Sequence, residues 1–236
     1  MHSALPHRVS NAVIGTIMVG LVFVGSVSAY TYSAWTTMTG AKTFAINPFF
    51  HGAFSNMPGT GTDLVVGYGF NDKFDLFINL STLSPVKDFS YGGSYIMPRY
   101  DFGNNNIIAL QMGYDGNEFA GGPQYHFVWD KEKFTLEANA AVTLYSSDMA
   151  APYIFGTLGW VWKAVKDVLY PFVELNPSYQ VGPDGGFDFV PAPGVWIGIP
   201  NTTHQFALSI QLNGVSSGSI DPGLGMWYWF SIGGNE

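Results

Sequence analysis

The segment Phe134–Tyr145, FTLEANAAVTLY, decides the fold because two kinds of side chain alternate along it. The even positions are apolar: Phe134, Leu136, Ala138, Ala140, Val142 and Leu144. The odd positions are mostly polar: Thr135, Glu137, Asn139, Ala141, Thr143 and Tyr145. A period of two places the two sets on opposite faces of a β-strand. One face is therefore suited to lipid and the other to water.

The same alternation recurs from residue 42 onward, between clusters of Gly, Asn, Asp, Pro and Ser. It predicts twelve strands, with ten and fourteen as neighbouring even counts: 43–54, 63–70, 74–81, 92–102, 106–114, 123–129, 134–145, 153–162, 168–178, 189–199, 205–212 and 223–232. The connections alternate between short turns (71–73, 103–105, 130–133, 163–167, 200–204) and longer loops (55–62, 82–91, 115–122, 146–152, 179–188, 213–222). This layout is typical of an outer-membrane barrel with periplasmic turns and surface loops. We expect an all-β, closed antiparallel transmembrane β-barrel; the alternative is a soluble sandwich or lipocalin-like barrel.

The composition excludes several classes of protein. Charged residues make up 11% of the 236 residues, against about 25% in ordinary globular domains. After residue 29 no uncharged apolar run approaches the roughly 18 residues that a spanning helix needs, which excludes an α-helical membrane protein. The net charge of −8 opposes binding to a nucleic acid backbone. The absence of Cys suits an oxidising compartment.

The N-terminal region has the pattern of an export signal. Arg8 is the only charged residue before Lys42, and it precedes the apolar run VIGTIMVGLVFV at 13–24. Small residues at Val27-Ser28-Ala29 predict cleavage after Ala29. We therefore expect a signal peptide at 1–29, a periplasmic segment at 30–41 and a barrel at 42–236, in a bacterium of the Gram-negative type. The alternative is a retained N-terminal anchor helix.

Aromatic residues crowd the predicted strand ends, where membrane barrels carry interfacial girdles. They are Phe49, Phe50, Tyr68, Phe70, Tyr125, Trp129, Phe134, Trp160, Trp162, Tyr170, Trp227, Tyr228, Trp229 and Phe230. The last strand, GLGMWYWF at 223–230, resembles the C-terminal signal that the barrel-assembly machinery recognises, with Gly225, Tyr228 and Phe230 on the matching positions. It departs from the usual form because six residues, 231–236, follow it.

One strand–turn–strand unit, LVVGYGFNDKFDLFINL at 64–80, resembles the repeating unit of transporters of the meta-pathway phenol-degradation outer-membrane family. PGVWIG at 193–198 is a second point of similarity. The resemblance implies an outer-membrane barrel with a passive transport role. It carries over no catalytic residues.

Polar residues at inward positions are candidates for lining or constricting the lumen. They are Asp75, Arg99, Asp101, Gln111, Gln124, His126, Glu137, Asn139, Glu174, Asn176, Gln205 and Gln211. A four-residue turn at 130–133 would set His126 opposite Glu137 and Gln124 opposite Asn139, and a similar register would set Asp75 near Arg99. The alternative is an internal brace that fills a narrow barrel. The register over 153–178 stays open, and Glu174 is placed inside because lipid would penalise its charge.

The predicted surface loops and their edges are acidic. Lys87 alone opposes eight carboxylates, Asp63 at a loop edge and the mouth residues Asp88, Asp115, Glu118, Asp148, Asp184, Asp188 and Asp221. Such a vestibule concentrates cations over a Debye length of about 8 Å. Alternatively, these loops serve solubility or bridge to lipopolysaccharide through divalent cations.

These patterns predict passive passage of small solutes, apolar or cationic, through a narrow polar lumen. A closed structural or surface-interaction barrel is the second hypothesis, and a lipid-modifying enzyme is the third. We expect no enzyme, because no Ser opposes the inward His126, His51 lacks a recognisable triad and His204 lies in a turn. No cofactor or metal is predicted; the expected partners are outer-membrane lipid, lipopolysaccharide, the assembly machinery and a small solute, with no nucleic acid.

Overall fold

The computed structural model describes residues 38–53, 61–83, 90–114, 118–147, 151–182 and 185–233, with the backbone alone at 51–53, 81–83 and 90–92. The described chain forms twelve strands. They are β1 (Thr43–Ala53), β2 (Gly61–Asn71), β3 (Phe74–Leu83), β4 (Ser90–Asp101), β5 (Asn106–Tyr114), β6 (Phe119–Asp130), β7 (Phe134–Tyr145), β8 (Tyr153–Trp162), β9 (Leu169–Gln180), β10 (Phe187–Gly198), β11 (Gln205–Asn213) and β12 (Asp221–Gly233). The predicted signal at 1–29 and most of the segment at 30–41 lie outside the described residues.

The strands form a closed antiparallel barrel in which each strand pairs with its sequence neighbours. The barrel closes where β1 pairs with β12, from Thr43 opposite Gly233 to Ala53 opposite Gly223. Closure gives every strand a partner on both sides, so no edge is left. The prediction of a twelve-stranded barrel is confirmed.

The outside of the barrel is apolar. Exposed aliphatic side chains cover its middle: Leu64, Ile78, Leu80, Ile96, Ile108, Leu110, Leu144, Ile154, Leu158, Leu208 and Ile210. Exposed aromatic side chains lie toward one end at Phe44, Phe70, Phe74, Tyr100, Phe102, Trp129, Trp160, Trp162 and Phe206, and toward the other end at Phe119, Tyr179 and Phe187. An aliphatic band with an aromatic girdle is the outer surface of a transmembrane barrel. Among the described residues, no helix is long and apolar enough to span a membrane.

The connections at the two ends of the barrel differ less in length than the sequence predicted. The turn end, which holds the start of β1 and the end of β12, has connections at 72–73, 102–105, 131–133, 163–168 and 199–204. The loop end has connections at 54–60, 84–89, 115–118, 146–152, 181–186 and 214–220. The predicted loop at 115–122 was wrong in its second half, because β6 begins at Phe119. Gly121 and Gly122 conceal the alternation there, and a Cβ at Gly122 would lie 1.9 Å from the carbonyl oxygen of Val142.

The predicted pairing of β6 with β7 was also wrong. His126 lies opposite Asn139, and Glu137 lies opposite Val128. The predicted four-residue turn is tighter because Asp130 continues the strand, and the backbone N–H of Lys131 donates to the carbonyl of Phe134 at 2.8 Å. The register moves by two residues. Since side chains alternate with period two, every side chain keeps its predicted face and only its partner changes.

Candidate functional site

The interior of the barrel is the candidate site, and it has two unlike sides. A polar wall runs along β3 to β9 and contains the buried residues Asp75, Arg99, Gln124, His126, Glu137, Asn139, Thr157, Glu174 and Asn176. An aromatic cluster lies on β9 to β12 and β1 and contains the buried residues Phe49, Phe172, Trp196 and Trp227. Apart from Thr157, these buried residues of the polar wall are among the predicted lumen residues, and Glu174 lies among them.

A buried ion pair lies in the polar wall near the turn end. Asp75 faces Arg99 across β3 and β4, as the sequence predicted. Arg99 Nε donates to Asp75 Oδ1 at 2.8 Å and Nη2 donates to Oδ2 at 2.6 Å, with both side chains fully buried. The guanidinium also stacks 4.2 Å from the ring centroid of Phe77. Arg99 is the one buried cation among the described residues, and the Asp75 carboxylate balances its charge. The bidentate contact also fixes the orientation of the planar guanidinium.

The N-terminal segment reaches the same carboxylate. Thr39 donates to Asp75 Oδ2 from its backbone N at 2.9 Å and from its hydroxyl at 3.0 Å. The backbone N of Lys42 donates to the carbonyl of Gly69 at 2.7 Å. A Cβ at Gly69 would lie 1.8 Å from the carbonyl oxygen of Gly40. The glycine at 69 therefore lets residues 39–42 lie against the turn end of the barrel wall.

Amide side chains link the strands of the polar wall. Asn139 Nδ2 lies 3.1 Å from His126 Nδ1. The Thr157 hydroxyl donates to Asn176 Oδ1 at 2.7 Å, and Asn176 Nδ2 donates to the carbonyl of Val190 at 3.1 Å. Gln124 Nε2 donates to Gln111 Oε1 on the neighbouring strand. These bonds fix the orientation of neutral donors and acceptors along the wall.

Two glutamates of the polar wall are separated by a single glycine. Glu137 lies opposite Gly159 on β8, and Gly159 lies opposite Glu174 on β9. A Cβ at Gly159 would lie 3.7 Å from Glu137 Cβ and 3.7 Å from Glu174 Cγ. The missing side chain thus leaves a slot of about one methyl group between the two acidic side chains. Sequence reasoning placed both glutamates inside the barrel but did not bring them together.

The aromatic cluster was assigned to the wrong place by the sequence. Phe49, Trp227, Tyr170 and Trp229, predicted in the interfacial girdles, belong to the buried cluster or pack against it. Phe49 and Trp227 stack at 5.1 Å between ring centroids, and Trp196 lies 6.0 Å from Trp227. β12 has aromatic residues at four consecutive positions, 227–230, so half of them must turn inward.

Glycine positions are the signal that identifies inward aromatic side chains. Gly194 lies opposite Phe172, and Gly67 lies opposite Phe77. A Cβ at Gly194 would lie 2.3 Å from Phe172 Cζ, and one at Gly67 would lie 2.5 Å from Phe77 Cε1. Each ring therefore lies flat over a glycine of the neighbouring strand. An inward glycine opposite an inward aromatic residue predicts this packing.

The other predicted lumen residues differ in burial and in position along the barrel. Asp101 ends β4 and accepts from the backbone N of Gly103 at 2.7 Å. Gln111 is half-buried, and Gln205 is exposed at the start of β11. Gln211 is fully buried. Gln205 therefore belongs to the turn-end rim and not to the buried lining.

The acidic mouth is only partly described. Asp88, Asp115, Asp148 and Asp184 lie outside the described residues. Asp188 accepts from the Ser216 hydroxyl at 2.6 Å, and Glu118 accepts from the backbone N of Ser147 at 2.7 Å. Asp221 is half-buried at the start of β12, and Asp63 is buried inside the loop half. Within the described part, these carboxylates spread around the loop end.

The residues matching the assembly signal face both ways. Gly225 is inward and buried, whereas Tyr228 and Phe230 are half-buried at the turn end. His204 stacks on Phe230 with ring centroids 5.6 Å apart and contacts the hydroxyl of Tyr228 through Nδ1. The side chain of His51 lies outside the described residues. Within the described ranges no group of three or more His, Cys, Asp or Glu side chains could hold a metal ion.

The fold is similar to solved outer-membrane barrels. The COG4313 outer membrane channel from Pseudomonas putida F1 aligns with a TM-score of 0.58 at 9% identity, covering 83% of this chain and 97% of that one. The KdgM porin, solved in complex with disordered oligogalacturonate, aligns with a TM-score of 0.57 at 10% identity, covering 80% of this chain and 99% of that one. No protein-family model matches the sequence, and no curated protein matches it. At these identities the similarity concerns the fold alone.

Proposed function

We propose that the protein is an outer-membrane barrel through which small solutes pass passively. The observation that carries this proposal is the inverted distribution of polarity: a band of exposed aliphatic side chains surrounds a wall of buried charges and amides. A soluble barrel would bury the apolar set and expose the polar set. The shared fold with a porin and an outer-membrane channel supports the same conclusion.

The chain's location and orientation follow from the same proposal. The signal at 1–29 exports it and is cleaved, the turn end faces the periplasm, and the acidic loop end faces outward. Tyr228 and Phe230 serve recognition by the assembly machinery. The resemblance of residues 64–80 and 193–198 supports a finer placement among the transporters of the meta-pathway phenol-degradation outer-membrane family.

We further propose that the lumen favours cations over anions. Among the described residues, the buried carboxylates are Asp63, Asp75, Glu137 and Glu174, and the buried guanidinium is Arg99 alone. Because Arg99 is bound by Asp75 in a bidentate pair, it offers little charge to a passing anion. The low-dielectric wall of a barrel strengthens the field of the remaining carboxylates. Small cations, or solutes with one apolar face, suit the lumen that lies between the polar wall and the aromatic cluster.

Ion selectivity in planar lipid bilayers tests this function. With a tenfold KCl gradient, we expect channel events whose reversal potential shows preference for K⁺. The double variant Glu137→Gln/Glu174→Gln should move the reversal potential toward zero, because it removes two buried charges. Glu132→Gln, in the exposed turn at 131–133, is the matched control and should leave the potential unchanged. Absence of channel events from the folded wild type would refute the channel.

A closed structural or surface-interaction barrel is the second candidate. It is favoured by the packing of the central side chains, since Trp227, Phe77, Arg99 and His126 are each no more than 1% exposed. In that role the acidic mouth would bind lipopolysaccharide through divalent cations. The bilayer experiment separates the two, because a closed barrel gives no selective current. The prediction of no enzymatic activity, made against a lipid-modifying enzyme, is tested by incubating the pure barrel with phospholipid, and turnover that His126→Ala abolishes would refute it.

A further inference from the structure

Three inward side chains of β11 and β12 converge on one glycine. Gly225 on β12 lies opposite Ser209 on β11, and Gln211 and Trp227 each lie two residues further along these strands. From the point that a Cβ on Gly225 would occupy, Ser209 Oγ lies at 2.9 Å, Gln211 Nε2 at 3.0 Å and Trp227 Cη2 at 3.1 Å. A Cβ at this position would require these side chains to shift. We name Ser209, Gln211, Gly225 and Trp227 the Gly225 site.

Among the described residues, no group forms a hydrogen bond with the polar atoms of the Gly225 site. Within the described part of the chain, neither Ser209 Oγ, Gln211 Nε2, Gln211 Oε1 nor Trp227 Nε1 has a partner. The three side chains are at most 1% exposed. A buried polar group without a partner costs about 1–3 kcal/mol, and native structures retain few of them. Several such groups at one point indicate that a ligand completes their bonding.

The chemistry of these atoms defines the ligand. Gln211 Nε2 and Trp227 Nε1 donate, Gln211 Oε1 accepts and Ser209 Oγ does both. None of these four residues is ionisable. Closely spaced, mixed, uncharged donors and acceptors are matched by hydroxyl groups. A carboxylate or an ammonium would satisfy only one kind of atom.

The aromatic cluster supplies an apolar surface beside these polar atoms. Phe49 stacks on Trp227 with an interplanar angle of 30°, and Trp196 packs on it at 37°. Aromatic side chains supply a large apolar contact area, which suits the C–H groups of a ring compound. The site lies in the loop half of the barrel, because Gly225 also pairs with His51 near the end of β1. A solute that enters from the loop end reaches Gln211 before it reaches Trp227.

We propose that the Gly225 site binds an uncharged cyclic polyol of the monosaccharide class, with its hydroxyl groups on Ser209, Gln211 and Trp227 Nε1 and its C–H face on the aromatic cluster. This inference rests on the proposed function and names one class of solute for the lumen. It assigns selection among neutral solutes to the wall formed by β11 and β12. The glutamates of the polar wall then act on ions and the Gly225 site on sugars.

Equilibrium binding of radiolabelled glucose to the full-length folded barrel in detergent tests the site. Gln211→Leu, Ser209→Ala and Trp227→Phe should each weaken glucose binding about two- to tenfold, the loss that one neutral hydrogen bond gives. Trp227→Phe keeps the aromatic surface and removes the N–H. Gln205→Leu is the matched control on the same strand, since Gln205 is exposed at the rim, and should bind as the wild type does. A difference in gel mobility between unheated and heated samples checks that each variant is folded.

The possible results distinguish failure of the Gly225 site from failure of the proposed channel function. Saturable glucose binding that the three variants weaken and Gln205→Leu does not supports the site, even if no ion current is seen. No glucose binding overturns the site, even if the barrel conducts ions. Cyclohexanol competes as a ring of similar size with one hydroxyl. Competition by cyclohexanol as strong as that of unlabelled glucose overturns the site, because only the apolar surface would then be recognised.

Discussion

The ion pair of Asp75 and Arg99 permits the sharpest test of the interior. Its two hydrogen bonds, at 2.8 and 2.6 Å, lie between side chains that are fully buried. Asp75→Asn keeps the shape of the side chain but removes the carboxylate charge that binds the guanidinium in the bidentate pair. Breaking a buried pair from one side costs about 3–5 kcal/mol, mainly because the remaining charge stays buried. We therefore expect Asp75→Asn to lower the free energy of unfolding by that amount.

The chain contains a matched control for this test. Lys163 Nζ lies 2.6 Å from Asp130 Oδ1, the same distance as in the buried pair, but the two side chains are 26% and 56% exposed. An exposed pair contributes about 1 kcal/mol or less because water screens it and both side chains lose rotamer freedom. Asp130→Asn should therefore change the free energy of unfolding only slightly. The comparison contrasts a buried bidentate pair with an exposed single contact that has the same shortest distance.

Urea unfolding of the barrel folded into phospholipid vesicles measures both effects. The double variant Asp75→Leu/Arg99→Met should recover most of the loss, because replacing both partners by apolar groups removes the buried charge. A cost for Asp75→Asn as small as that for Asp130→Asn would refute the reasoning. It would mean that water reaches Arg99 and that the interior is wetter than the structure indicates.

Three further predictions concern packing and turns. Gly194→Ala should destabilise the barrel by about 1–3 kcal/mol, because its Cβ would lie 2.3 Å from Phe172 Cζ, whereas Gly186→Ala, with no atom within 4 Å, should be neutral in the same unfolding assay. Phe172→Ala should raise single-channel conductance, since it removes a ring from the aromatic cluster; an unchanged conductance would mean that the ring does not narrow the path. Asn105, with φ of 57°, should tolerate Gly, but Asn105→Val should cost about 1–3 kcal/mol, and equal stability of the two variants would contradict this.

The number of strands, and the face of side chains wherever polar and apolar residues alternate clearly, could be predicted from the sequence because both depend on local alternation. β7 shows this best, since its predicted bounds at 134–145 are those observed and Glu137 and Asn139 are buried as expected. Exported barrels must present apolar side chains to lipid along the whole strand. Because of that requirement, the outward residues at every second position of a strand are mostly apolar, and the sequence shows this pattern directly.

Pairing between strands could not be predicted in the same way. Any register shift by two residues satisfies the alternation equally, so His126 could face Glu137 or Asn139 without change of face. The contacts that favour the observed register of β6 and β7 lie in the turn. There Asp130 accepts from the Thr135 hydroxyl at 2.5 Å and from Lys163 Nζ at 2.6 Å. Those contacts extend β6 by one residue and tighten the hairpin. The Lys163 contact comes from the next turn along the barrel, so no local pattern encodes it.

The width of the lumen is likewise a property of side-chain pairs. Eight strands leave an interior that side chains just fill, and sixteen or more leave a water-filled channel. At twelve strands the sizes of inward side chains decide, and here they are unevenly placed: glycine at 159 leaves a slot beside two glutamates, while glycines at 67 and 194 are covered by Phe77 and Phe172. The same small residue thus opens the polar wall and lets the aromatic side chains pack inside the barrel. Because an inward glycine has either effect depending on its partner across the strands, selectivity follows from the register and could not be predicted from the alternation alone.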